Sequence, residues 1–484
     1  MKKIFFIWLT GFLLCFNLFS QSAGVSDFMR LNPYSTLNNP AYFIPYRGYF
    51  AIPGISNINL SLYNTGFHYD KIFDTKGKGE ISVQKFINSL PNNNWLNLET
   101  NLEILGIGFR AKKLFFSLGY RLNVDGEIRY NKQLFEFLLP ENIMQNNSKD
   151  HINFMLEPNL NIYQEVSLGI QARVLKNFYI GIRPKVLFGL VNIDTRKLNG
   201  NVYYQESDTN ITIRGYLDSD VKMSAFFQYY NKDENGKLSF TYEDITTNIR
   251  KTIGNCFSKN MGVALDFGIV FRINQQFRVS ASFTDLGYIK WKGFPLNIKA
   301  EKADFEIAGF NFDKDFFYFK DILTDYDSAL QFNPIKSYKS LLTPKVMADF
   351  YFDITPSNRL ILQFKGYIIG KSLLPKFSFA YNGTFFNIFD VVASYSIMKQ
   401  SYLNLGVGFG IRLGPLHLYA GTDNIFSAIN FLNADKINAT FGLLFDFPVS
   451  GKKIKEERLK SMFKTKEEKI ERKKDKQIAK EKEG

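Results

Sequence analysis

Among the 484 residues, the side chains with most capacity for chemistry are three histidines, His68, His151 and His417, and two cysteines, Cys15 and Cys256. A hydrolase would need a histidine beside a serine or cysteine nucleophile. No GxSxG, P-loop or metal-ligand spacing accompanies these residues. A lone cysteine cannot build a zinc cluster. Gly406, Gly408 and Gly410 recur at every second position, which is strand periodicity rather than a phosphate loop. His417 lies between Leu416 and Leu418 on the face of Tyr419, while His68 and His151 fall in connections. The sequence therefore predicts no enzyme, no cofactor and no metal site.

Charged residues inside apolar segments are more informative. Arg121, Arg183, Lys185, Asp266, Arg272, Asp349 and Arg412 each sit on the non-apolar face of an alternating segment. So do Arg110, Arg173, Arg278, Lys345, Asp353, Lys365 and Asp390. Both signs occur. Such a set is either an interior packed with ion pairs and water or a selectivity surface for a solute.

The segments that carry these charges have period two. Met261, Val263, Leu265, Phe267, Ile269, Phe271 and Ile273 alternate with Gly262, Ala264, Asp266, Gly268, Val270 and Arg272. Alternation places the two sets on opposite faces of a strand. Phe277, Val279, Ala281 and Phe283 repeat the pattern after only Asn274-Gln275-Gln276, so the two segments form a hairpin. A soluble sandwich can also alternate. Here, however, the strands are long, and the other face holds Gly, Asn, Ser and Arg. Glycine leaves room inside a barrel, and a membrane barrel is apolar outside and polar inside. Aromatic content is 16%, with Phe 50 and Tyr 26, which suits such strands.

Fourteen strands are predicted near 57–66, 98–110, 114–130, 160–174, 178–195, 259–274, 277–291, 343–353, 359–370, 374–383, 387–398, 401–413, 415–423 and 436–447. Short turns and longer connections then alternate, as in bacterial barrels with short periplasmic turns. Both termini fall on the short-turn, periplasmic side. Residues 208–229 read as an external hairpin, 243–252 as a short helix and 294–312 as strands extended above the membrane; any of these could raise the count to sixteen. The predicted fold is all-β, a transmembrane antiparallel barrel of about fourteen strands. The barrel occupies 48–448 and has long external loops.

Lys2 and Lys3 precede an apolar run, Ile4 to Phe19, and small residues at Ser20, Ser22 and Ala23. This reads as a signal peptide over 1–20. Mean hydropathy is −0.16, and beyond the N-terminus no apolar run approaches the roughly 20 residues a spanning helix needs. The last predicted strand is amphipathic and ends at Phe447, before Pro448 stops the ladder. The charged tail at 449–484 reads as periplasmic: either a solvated segment or a contact with peptidoglycan, lipid headgroups or a partner. Of the formal charge of +14, the residues from Gly451 carry +6, fourteen Lys/Arg against eight Asp/Glu, and the signal carries +2, which leaves about +6 on the rest. No basic stripe on a recognisable module supports nucleic-acid binding.

Several segments together resemble the end of an uncharacterised family of outer-membrane barrels. They are Ala393-Ser-Tyr-Ser-Ile-Met-Lys-Gln-Ser-Tyr-Leu-Asn-Leu-Gly406, Leu413-Gly-Pro-Leu-His-Leu-Tyr419 and Thr422-Asp-Asn-Ile425. Phe283-Thr-Asp-Leu-Gly-Tyr-Ile-Lys-Trp291, Leu37-Asn-Asn-Pro-Ala41 and Ile52-Pro-Gly-Ile-Ser56 extend the resemblance over nearly all of the chain up to Pro448. That family has no assigned activity and occurs in bacteria that use type IX secretion. Asn39-Pro40-Ala41 also resembles the box near the N-terminus of the fatty-acid transporter superfamily, which includes transporters of hydrophobic compounds and a type IX shuttle barrel. The resemblance implies fourteen strands and an N-terminal hatch in the lumen, at 21–47; the charged tail departs from it. Two functions follow as expectations. One is passive, porin-like transport of a small hydrophobic solute. The other is a non-catalytic interaction or assembly barrel that holds secretion or envelope proteins through its tail or loops. An interrupted wall strand beside an apolar pocket would favour the first. A lumen blocked by paired charges, with large ordered loops, would favour the second.

Overall fold

The computed structural model describes residues 24–43, 46–66, 83–138, 151–206, 211–232, 238–240, 249–310, 331–369, 372–386, 388–398, 401–429 and 436–448. The predicted signal peptide and charged tail lie outside these residues. The wall contains fourteen strands. β1 is in two pieces, Tyr46–Ala51 and Ile58–Asn64. The next six are β2 (Asn93–Ala111), β3 (Leu114–Asn131), β4 (His151–Leu175), β5 (Phe178–Glu206), β6 (Met261–Arg272) and β7 (Phe277–Trp291). The last seven are β8 (Lys345–Asp353), β9 (Asn358–Ile369), β10 (Ser372–Phe385), β11 (Phe389–Met398), β12 (Ser401–Leu413), β13 (Leu416–Thr422) and β14 (Lys436–Pro448). Each pairs antiparallel with the next, and β1 pairs with both β2 and β14, so the sheet closes on itself. Closure leaves no unpaired edge.

The alternation read from the sequence sets the two faces. Met261, Val263, Leu265 and Phe267 are 42–54% exposed, whereas Ala264 and Asp266 between them are 7% and 0%. The outer surface is apolar and the buried residues line the inside. No helix of the described residues is long and apolar enough to cross a membrane; the strands are the spanning elements.

Three details differ from the sequence expectation. The first strand begins at Tyr46, not near 57, and breaks where Pro53 and Gly54, at φ +78°, leave the ladder. The segment 208–229 is not a self-contained hairpin. Ile211–Ala225 returns along the upper half of β5 and also pairs with Leu296–Phe310, building a sheet above the apolar band. These strands extend beyond the ring rather than adding to its count. The short helix predicted over 243–252 is seen at Ile249–Ser258 and runs past the predicted end; 243–248 lie outside the described residues.

The chain enters and leaves at the end of the barrel that carries the tight turns. Tyr46 is paired with Pro448, and Gly48 with Phe109 near the end of β2. Residues 24–43 precede β1 and lie inside the barrel. Val25 and Ala41 are fully buried, and Phe28 and Met29 are 2% exposed. Val25, Phe28, Met29 and Tyr34 share one apolar cluster with wall residues Ile361, Ala380, Val392 and Leu444.

Candidate functional site

The lumen is arranged in three zones. At the short-turn mouth, arginines stack on aromatic rings. Arg110 lies 4.8 Å over Phe43, Arg272 5.1 Å over Tyr179, Arg278 5.2 Å over Tyr351 and Arg412 4.7 Å over Tyr46. Asp353 pairs with Arg278 at 2.9 Å and Arg359 at 2.5 Å, while Asp446 pairs with Arg412 at 3.1 Å and lies 3.3 Å from His417. Buried cations near aromatic faces and carboxylates keep their charge without water. Arg173 is exposed at a turn, where it donates to the Lys176 carbonyl at 2.7 Å.

The middle zone is the seat of residues 24–43. Asp423 accepts the amides of Gly24 at 3.0 Å and Val25 at 2.9 Å, and pairs with Lys376 at 2.9 Å. Lys365 donates to the Asn38 side chain at 2.9 Å and lies 3.4 Å from Asp27. Burial pushes the Asp27 carboxyl up to about 6, against the pull of Lys365 and Lys376. Burial likewise lowers Arg30 to about 9, and neighbouring Arg359 adds to the effect. Tyr42 donates to Asp349, which also accepts from Ser280 at 2.6 Å. Asp390 accepts from Asn382 at 2.5 Å and from the Leu31 amide at 3.4 Å.

Asn39, Pro40 and Ala41 form the tightest contact with the wall. The Asn39 amide donates to the carbonyls of Ile269 and Ala281, each at 3.3 Å. Its oxygen accepts the Ala41 amide at 2.9 Å, closing a local turn. Gln171 donates to the Ala41 carbonyl at 2.8 Å, and Ser282 to that of Asn38 at 2.7 Å. Opposite this turn the wall has glycine. A Cβ at Gly181 would fall on the Pro40 backbone, and one at Gly268 on the Asn39 side chain. Asn39→Ala removes three of these hydrogen bonds, each worth about 1 kcal/mol net. We expect hydrogen–deuterium exchange over 35–43 to accelerate at least severalfold while the wall strands keep their protection. Unchanged exchange would show that the seat does not depend on Asn39.

Above this seat, Lys185 pairs with Asp266 at 2.8 Å and Asp285 at 2.6 Å, and lies 3.8 Å from Glu165. Arg121 pairs with Glu165 and lies 3.7 Å from Glu103. Arg183 is 3.7 Å from Asp266 and donates to Thr36 at 3.2 Å. Lys345 joins Glu99 at 2.8 Å. Four of the seven leading sequence candidates, Arg121, Arg183, Lys185 and Asp266, thus meet in one network. Arg272 and Arg412 lie at the mouth, and Asp349 lies under the lumen segment.

Sequence reasoning missed Asp285, Glu103, Glu165 and Asp423. By strict period two, Asp285 shares the outward face of Phe283. A ladder irregularity opposite Leu265–Phe267 and φ +61° at Asp285 turn its carboxylate inward. A similar shift lies between Glu103 and Leu105. Glu165 has the parity of buried Tyr163 and was legible from it. Asp423 lies beyond the end of its strand, where periodicity carries no signal.

At the long-loop end, a cavity of about 590 Å³ opens over this network. Leu98, Leu160, Tyr163, Leu342, Tyr367 and Ile368 line its apolar side. Glu127, Glu157, Asp194, Arg129 and Arg196 line the rest. Beside it the β4–β5 ladder is interrupted: register pairs stop at Met155 and resume at Leu160. Side chains bridge the gap, with the Thr195 amide donating to Asn159 at 2.9 Å. Among the described residues, no group of three or more His, Cys, Asp or Glu is placed to hold a metal ion. Within the same residues, no hydroxyl is hydrogen-bonded to His417.

The model of a family of unknown function, DUF5723, matches residues 40–423. No curated protein matches the chain. Among solved structures, the chain is similar to the toluene transporter TodX of Pseudomonas putida. The identity is 8% and the TM-score 0.42, covering 88% of this chain and 97% of that one. It is similar also to the toluene transporter TbuX of Ralstonia pickettii, at 8% identity and TM-score 0.42, over 89% and 100% of the two chains. For the CymD monoaromatic hydrocarbon channel the identity is 9% and the TM-score 0.34, over 86% and 94%.

Proposed function

The chain belongs to DUF5723, a family of unknown function, and from its own geometry we propose an outer-membrane barrel for passive passage of a small hydrophobic solute. In this reading residues 24–43 are a hatch, and the short-turn end, with both termini, faces the periplasm. One observation carries it. The 590 Å³ cavity meets an interruption in the barrel wall on one side and is floored by Glu99, Asp285 and Lys345 of the ion-pair network on the other, with the hatch on the far side of that network. A solute's apolar part would rest on the Leu98–Leu160–Tyr163 side, and any polar atom would face the carboxylates and amides opposite. The hatch closes the path below, so passage requires it to shift.

A second reading, an interaction barrel, draws on the closed lumen and on the external sheet of Ile211–Ala225 and Leu296–Phe310. The test is uptake by proteoliposomes containing the full chain, with toluene and a sugar of similar size as probes. Uptake of toluene above protein-free vesicles is expected. Asn38→Cys with Ser282→Cys, in a Cys256→Ser background, joins hatch to wall where Ser282 already bonds Asn38. Oxidation should abolish uptake, and a reductant should restore it. Uptake that ignores the tether would remove the hatch from the path. No uptake in the parent chain would leave the interaction reading.

A further inference from the structure

The outer surface carries one charged feature that the lumen does not explain. Met261, opposite Lys290 in the β6–β7 ladder, marks the long-loop end of the apolar surface of these strands. β6 has 12 residues. At ~3.3 Å per residue and a ~40° tilt it rises about 28 Å, close to the ~25 Å apolar band of such barrels. Met261, Leu286 and Leu341 are 50%, 44% and 78% exposed there.

Around this level stand Lys259, Lys290, Lys292 and Lys339. Lys290 and Lys339 are directly opposite one another across β7 and the short strand Tyr338–Leu341. Their parity partners Asn260, Ile289 and Trp291 are buried at 0%, so the lysines point out of the barrel. Lys259, Lys292 and Lys339 are exposed and Lys290 is half-buried. Lys339 lies 4.4 Å over the Tyr288 ring. Among the described residues none of the four has a carboxylate within ion-pair distance. Like charges directly opposite in a ladder repel, and the lumen of the same protein matches its cations to carboxylates. The amphipathic helix Ile249–Ser258 ends beside the patch, and its Phe257 packs 5.3 Å from the outward ring of Phe188. Apolar surface below, four lysines at its rim and an amphipathic helix alongside suit an amphiphile with an anionic head.

We propose that Lys259, Lys290, Lys292 and Lys339 form a binding site for the phosphate headgroup of a membrane lipid, whose acyl chains lie on Met261, Leu286 and Leu341. The leaflet rests on the orientation given above; the site does not. The experiment is native mass spectrometry of the full chain in micelles holding equal amounts of bisphosphorylated lipid A and phosphatidylcholine. The parent should retain lipid A in at least roughly tenfold preference, and the preference should fall with added salt, as charge pairing in water does. The variant combining K259Q, K290Q, K292Q and K339Q should retain the two lipids alike. Equal retention in parent and variant would overturn the site. Full displacement of lipid A by millimolar inorganic phosphate would also overturn it, because the patch would then take free phosphate rather than a headgroup. If the variant does not fold, a flat salt dependence in the parent still rejects the proposal. Failure of toluene uptake leaves this result untouched, so the two readings fail separately.

Discussion

Gly181→Val is expected to convert a closed barrel into a conducting one. The added Cβ falls on the carbonyl and nitrogen of the Pro40–Ala41 peptide, which is backbone and cannot rotate away. The wall is no freer to move, because Gly181 is held in register by Gln171 on one side and Gly268 on the other. Valine suits a strand, so the barrel should still form and the strain should fall on residues 24–43. Overpacking of this kind costs typically ~1–3 kcal/mol. It also separates Ala41 from Gln171 and draws the Asn39 amide off two carbonyls. Planar-bilayer recordings should show conductance at least an order of magnitude above the parent. Gly268→Val should do less, since its Cβ meets side-chain atoms, the Asn39 amide and the Pro40 ring, rather than backbone. A folded Gly181→Val barrel as tight as the parent would show that residues 24–43 do not close the lumen.

Lys185→Met should give the largest loss of stability of any single substitution in the wall. Its ammonium lies between Asp266, Asp285 and Glu165, at 2.8, 2.6 and 3.8 Å. Asp266 is fully buried and Glu165 is 2% exposed. Removing one partner of a buried pair costs up to about 3–5 kcal/mol, because the carboxylates left behind have no water and lose their nearest ammonium. Arg183, 3.7 Å from Asp266, and Arg121, paired with Glu165, remain and offset part of that loss. Urea unfolding in lipid vesicles measures the change. Adding Asp266→Asn should recover part of the loss, because the two sites share one interaction and their effects are not additive. A Lys185→Met barrel within about 1 kcal/mol of the parent, below the range for breaking a buried pair, would mean that water enters the network.

Much of the architecture was legible because a strand's side chains alternate without exception while the ladder is regular. Met261–Ile273 and Phe277–Phe283 displayed the wall directly, and the spacing of the tight turns put the first and last wall strands' outer ends, Tyr46 and Pro448, at one mouth. The irregular places were harder. Pro53 and Gly54 interrupt β1, so only its second half was read as a strand. The bulge at Asp285 reverses parity, so a central carboxylate of the network was left out of the lumen-facing set.

The sequence by itself determined a closed, antiparallel, apolar-outside barrel, because one-residue alternation over long segments has no other economical burial, and it marked Asn39-Pro40-Ala41 by resemblance. Only the tertiary structure decided which charges meet. Lys185 on β5, Asp266 on β6 and Asp285 on β7 are up to 100 residues apart in the chain. They become neighbours through the ladder register, which sequence parity does not specify. The same holds for the glycines. Gly181 and Gly268 read as empty space in a lumen, and that space is the seat of Asn39 and Pro40, shaped by a chain segment more than a hundred residues upstream.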